Sequence, residues 1–324
     1  MANLAICFCE NFMDNKVTNS FLDQVYLGQT EWYRYFFGLV LILFFWFVLG
    51  SMFLVVPFFW VMIDGDPETA VNMQTGFFTG VDPIFNYIVL NLSFALLIVG
   101  VFVTVRFVHG RPLRSIVTPA KKLNWRRMAQ GFGVWLLLVT LASVVEYLIN
   151  PEIYTIVFNP GRFFIFALAV LLLTPMQTTA EELLFRGYLL QASGHLGRNF
   201  WLLALVNGVL FMVPHLGNPE LAASAILLPL FYLSIGAFFA FITLRDNSAE
   251  LAIGAHAANN LYSALFANYT NSALQTESIF LITELDAVYA LISFWVMAVI
   301  FYLVLLWQRP SPMPQPGELF DGGQ

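Results

Sequence analysis

Four places in this 324-residue chain set ionisable side chains within or against long apolar stretches: Glu181-Glu182 with Arg186, His215, His256 with Asn260, and Glu146. Ionisable groups in such surroundings are costly and mark a function or a polar interior. Glu182 and Arg186 are four apart, so on a helix they share a face and can pair. Glu181 sits about 100° further round that helix and has no cation near it in sequence. A carboxylate shielded from water suits general-base work, which makes Glu181 the candidate for chemistry. His215 ends Phe211-Met-Val-Pro-His215, and by itself reads as an interfacial or satisfied histidine. His256 and Asn260 stand four apart among small residues, a pattern that also serves as hydrogen-bonding glue between membrane helices. Glu146 reads as interfacial.

Considered together, these sites converge. Residue 198 is midway between Glu181 and His215, inside the turn-like stretch Ser193-Gly-His-Leu-Gly-Arg-Asn199. Two antiparallel helices joined there return His215 to the level of Glu181, so both can meet one water. His256 and Asn260 complete a small polar cavity from a third helix. Straight helices leave His215 and His256 about 15 Å apart in height. Tilt, a protruding hairpin or a re-entrant segment at 216–230, with Pro219 and Pro229, closes that gap.

The elements that hold these residues must be membrane helices. The chain is 59% hydrophobic and 10% charged, against roughly 25% charged in soluble proteins. No single water-soluble core hides so much apolar surface. This excludes a cytosolic enzyme, a secreted disulfide scaffold and a nucleic-acid binder. Gaps between ionisable residues place spans at 35–63, 83–105, 128–145, 163–180, 199–214, 221–244, 251–276 and 287–308. The fifth is short and the seventh contains polar residues. The fold class is all-α, a polytopic bundle of about eight spans with both termini inside. That orientation puts 13 of the 14 basic residues on the inner side, leaving only Arg162 outside, as the positive-inside rule requires.

The organisation that follows is a cytoplasmic segment at 1–32, a two-span hairpin at 33–105, a basic cytoplasmic loop at 106–127, a six-helix core at 128–307 and a disordered, Pro- and Gly-rich tail at 308–324. The basic loop reads as a topology determinant resting on anionic lipid. Cys7 and Cys9 are a weak metal or redox signal and read as plain thiols.

Glu-Glu-x-x-x-Arg, Phe-x-x-x-His and His-x-x-x-Asn, in that order on successive membrane helices, resemble the CPBP (ABI) family of CAAX prenyl endopeptidases and bacteriocin-processing proteins. The matching residues are Glu181, Glu182 and Arg186, then Phe211 and His215, then His256 and Asn260, within roughly 163–268. The resemblance implies an intramembrane endopeptidase acting on a peptide or lipidated protein in the bilayer, with no nucleic-acid partner. It supports Glu181 as the base that activates water, with His215 holding that water and His256 and Asn260 donating to the oxyanion. Glu182, Arg186 and Phe211 stand behind them. A zinc site of Glu181, His215 and His256 uses the same residues; glutamate-activated water without a tightly held metal is favoured. The competing readings are an immunity or scaffold protein and a small-solute transporter. Lack of internal repeats weighs against the transporter. The expected setting is the plasma membrane of a prokaryote.

Overall fold

The structure is a computed structural model that describes residues 21–71, 78–195 and 197–309. Its helices are α1 (Trp32–Ile63), α2 (Pro83–Val108), α3 (Trp125–Ile149), α4 (Pro160–Ser193), α5 (Phe200–Gly217), α6 (Leu227–Asp246), α7 (Glu250–Leu265) and α8 (Ala287–Leu305). Seven of them are long and apolar enough to cross a membrane. Five start on a side chain that accepts from the first turn: Asp82, Asn124, Asn159, Asn199 and Asp286. Short Asx side chains satisfy amides that have no partner inside the helix.

The remaining helix, α7, has 16 residues and is buried along most of its length. The span expected at 251–276 is therefore corrected: the helix stops at Leu265. Beyond it β2 (Ala267–Tyr269) pairs in parallel with β3 (Phe280–Ile282), and β3 pairs antiparallel with β1 (Tyr154–Ile156). Gaps between charges miss this boundary because Asn268, Thr270, Asn271 and Ser272 are polar without being ionisable. In the same way α6 begins at Leu227, after a 3-10 turn at Pro219–Ala223, six residues later than the charge gap indicates.

Helix α7 runs along α3 and against α4, while α5 packs along α6. The α3–α7 seam is close because both helices present glycine. A Cβ on Gly254 would lie 2.0 Å from the Met128 carbonyl oxygen, and one on Gly131 would lie 2.4 Å from that of Leu251. Small residues let membrane helices approach backbone to backbone.

Parts of the segment expected at 1–32 and of the basic loop expected at 106–127 are packed into the fold. Phe21, Leu22 and Val25 are buried in the core, so the described residues directly before α1 are packed. In the basic loop Lys121, Lys122 and Arg126 are exposed, but Arg111 and Arg127 are buried. Arg127 pairs with Asp246 at 2.7 Å, and Arg111 donates to Gln191 at 2.8 Å. Cys7, Cys9 and the tail from residue 310 lie outside the described residues.

Candidate active site

Glu181 lies in the last regular turn of α4. Pro175 lies inside that helix upstream, and a π-type run, Leu183–Leu189, follows Glu182 directly. Single wide turns of this kind recur at functional sites because they re-aim the side chains around them. Here Glu181 and Glu182 leave the helix in different directions. Glu181 lines a cavity of about 430 Å³, a size suited to a small-molecule or peptide site. Glu182 is fully buried behind it and, with Arg186, forms an ion pair at 3.0 Å.

Arg186 is itself fully buried. Its guanidinium lies 4.4 Å from the Phe211 ring centroid and 5.2 Å from that of Phe239. Cation–π contacts and the Glu182 carboxylate replace its hydration. The anticipated i, i+4 pair is present, at a depth where a stranded charge is expensive.

Helix α5 loses regular α geometry after Met212, and the 3-10 turn Val213–Gly217 carries His215. This turn and the one at Pro219–Ala223 resolve the height mismatch, because His215 and His256 line one cavity. The His215 Nδ1 donates to the Phe211 carbonyl at 2.7 Å. A carbonyl only accepts, so Nδ1 carries the proton and Nε2 is left as an acceptor in the neutral ring. Tyr232 stacks on the imidazole at 4.3 Å, and the Phe211 ring lies 4.7 Å away.

His256 is placed by α7. Its Nδ1 donates to Glu182 Oε1 at 2.7 Å, and its Nε2 lies 3.8 Å from Glu181 Oε2. Glu181 accepts from Gln177 Nε2 at 2.8 Å, one turn earlier on its own helix.

Asn260 is oriented by a relay. The Trp135 indole N–H donates to Asn259 Oδ1 at 3.2 Å, and Asn259 Nδ2 donates to Asn260 Oδ1, also at 3.2 Å. An indole nitrogen can only donate, so it determines which way each amide points. The Asn260 NH2 group is what remains for the cavity.

Glu181, His215, His256, Asn260 and Phe211 all line the cavity; Glu182 and Arg186 stand behind it. Glu146 is elsewhere, accepting from Tyr154 at 2.6 Å. Four participants were not singled out in the sequence: Gln177, Trp135, Asn259 and Glu220. Gln177 had a signal, being four residues before Glu181 on one face. Glu220 served only as the edge of an apolar stretch. It is buried, accepting from Tyr232, from Asn218 at 2.9 Å and from the Ala273 amide at 3.1 Å.

For a metal, three ligands must converge with lone pairs on one point. Among the described residues no three His, Cys, Asp or Glu side chains are grouped to hold an ion. Glu181 and His256 approach each other, but His215 does not join them as a third ligand, so the zinc trio is not assembled as a ligand set.

The arrangement offers a carboxylate, two imidazoles and a primary amide around one partly apolar space, which is equipment for adding water to an amide. A family model described as type II CAAX prenyl endopeptidase Rce1-like matches residues 160–262, the stretch from α4 into α7 that carries all three motifs. The uncharacterised protein YyaK of Bacillus subtilis (strain 168) is 34% identical over 305 residues, covering 92% of this chain and 99% of that protein. No solved structure matches the chain. Its helices make it an integral, multi-pass membrane protein, and the relative fits the expected prokaryotic plasma membrane. On the motifs, the matched segment and the near full-length relative, the chain belongs to the Rce1-like (CPBP) family of membrane proteases.

Proposed function

We propose that this protein is an intramembrane endopeptidase that hydrolyses a peptide bond in a membrane-associated or CAAX-type substrate with water activated by Glu181. The water lies between the Glu181 carboxylate and His215 Nε2. Glu181 takes a proton as the water oxygen bonds to the scissile carbonyl carbon. The tetrahedral oxyanion accepts hydrogen bonds from the Asn260 amide and, when it carries a proton, from His256 Nε2. Collapse breaks the C–N bond, and Glu181 returns its proton to the departing amine.

Arg186 and Glu182 act at one remove, holding His256 by its Nδ1. The carrying observation is that each of the four proposed groups is held by a neighbour: Gln177 holds Glu181, Phe211 holds His215, Glu182 holds His256 and Asn259 holds Asn260. Four side chains thus reach one space in defined orientations, which is pre-organisation.

The reading extends to topology, with both termini cytoplasmic. A reporter active on one side of the membrane, fused after Gln324, should signal from the inside; an external signal would overturn that orientation. For the activity, purified protein is incubated with a membrane proteome and new termini are mapped by mass spectrometry. Termini that depend on wild-type Glu181 and vanish with Glu181→Gln are expected. Equal processing by the variant would remove the protease assignment and leave a peptide-binding scaffold.

A further inference from the structure

The cavity wall has a charge pattern that bears on which peptide it accepts. Among the described residues that line it there is no lysine and no arginine, while two carboxylates, Glu181 and Glu220, are present. Two arginines of the helices around it are committed elsewhere. Arg186 is fully buried behind Phe211 and paired with Glu182. Arg162, at the start of α4, is not part of the lining and bridges Asp82 at 3.0 Å and Glu277 at 2.8 Å. All three partners of Glu220 are neutral donors, so they solvate its charge without cancelling it.

The rest of the lining divides into two kinds of surface. Asn259, Asn260 and Ser263 of α7 are neutral groups able to bond a peptide backbone. Trp46, Phe47 and Leu54 of α1 add an apolar part of the wall. Phe47 lines the cavity and is also 57% exposed, so the space reaches the lipid-facing surface between the first two helices.

We infer that the cavity takes an internal stretch of a membrane-inserted polypeptide, apolar and without a free carboxylate, and selects against a substrate whose C-terminal carboxylate must lie close to the scissile bond. The inference rests on the peptidase reading and narrows its substrate class. A C-terminal C-a-a-X motif carries its free carboxylate three residues after the cysteine. Bringing that charge into a poorly hydrated space with two other carboxylates and no lysine or arginine is repulsive, because His256, the imidazole that takes up a proton there, is already held between Glu181 and Glu182. A chain that continues past the cut on both sides brings only amides and side chains. Like-charge exclusion of this sort is how a site rejects one substrate class while binding another.

The test uses one short, apolar, fluorescent Leu/Ala peptide in two forms, ending in a carboxamide or in a free carboxylate. Both are presented to the whole protein in phosphatidylcholine vesicles. Binding is measured with wild type and Glu181→Gln, and cleavage with wild type. The carboxamide form is expected to bind about ten-fold more tightly, a single-charge effect at intermediate dielectric. Glu220→Gln should narrow that ratio by strengthening binding of the free acid. Equal or tighter binding of the free acid to wild type would overturn the inference, as would failure of both forms to bind. Discrimination in binding without cleavage would uphold the charge selection and count against the peptidase reading. Cleavage without discrimination would do the reverse.

Discussion

Helix α1 and helix α6 are both apolar enough to cross a membrane, yet 11% of the best α1 window is buried against 56% of that in α6. The first faces surroundings as apolar as itself along most of its length. Its Phe36, Phe37, Phe59 and Trp60 are all more than half exposed, and they need only be hydrophobic. The second packs against α5, with Gly236 set against Gly208, and its Gly236 carbonyl accepts from Arg186 at 3.4 Å. Lipid tolerates any apolar side chain, whereas a polar interior must satisfy each donor and acceptor individually. The central helices therefore hold the polar groups of the cavity, and the first hairpin supplies an apolar wall to it.

The largest expected effect lies in the central region. Glu181→Gln should lower turnover by about 10²- to 10³-fold or more while the protein keeps its fold, because it removes the base without a change of shape. Asn260→Ala should be severely impaired as well. Turnover of both variants beside metal analysis of the pure protein checks this. Stoichiometric zinc, with chelator inhibition reversed by zinc, would replace the water-activation scheme.

Arg186→Ala should cost about 3–5 kcal/mol, since it strands Glu182 in a dry interior. Folded yield and thermal midpoint in detergent are the readouts. A wild-type midpoint would show the pair to be energetically minor and would erase the contrast between the two regions.

Gly254→Ala puts a Cβ against the Met128 carbonyl, and should cost about 1–3 kcal/mol as α3 and α7 are forced apart. The same midpoint measurement reads it, and no loss would mean the seam yields freely.

The smallest stability effect is expected on the hairpin. Phe47→Ala should change the midpoint little, within about 0.5 kcal/mol as for substitutions away from packed features. Its effect should appear as a raised KM for an apolar peptide with kcat nearly unchanged. A large loss of kcat would show α1 to be part of the catalytic geometry.

The sequence by itself determined the membrane class, most helix positions and which polar side chains are candidates for the chemistry. These follow from local properties: runs of apolar residues between charges, and i, i+4 spacing that pairs Glu182 with Arg186. It also determined that Glu181, His215, His256 and Asn260 belong together, through the hairpin turn near residue 198 and the family motifs. What only the tertiary structure decided is which atom of each group faces the cavity. Trp135 and Asn260 are 125 positions apart in the chain, and no spacing rule connects them, yet the indole N–H orients the Asn259–Asn260 pair. The shortening of α7 at Leu265, the 3-10 turn that brings His215 level with His256, and the entry of α1 into the cavity wall also depend on packing across distant segments. Periodicity reports a residue's own helix face, whereas a hydrogen bond between helices depends on their register, which the contacts of the whole fold establish.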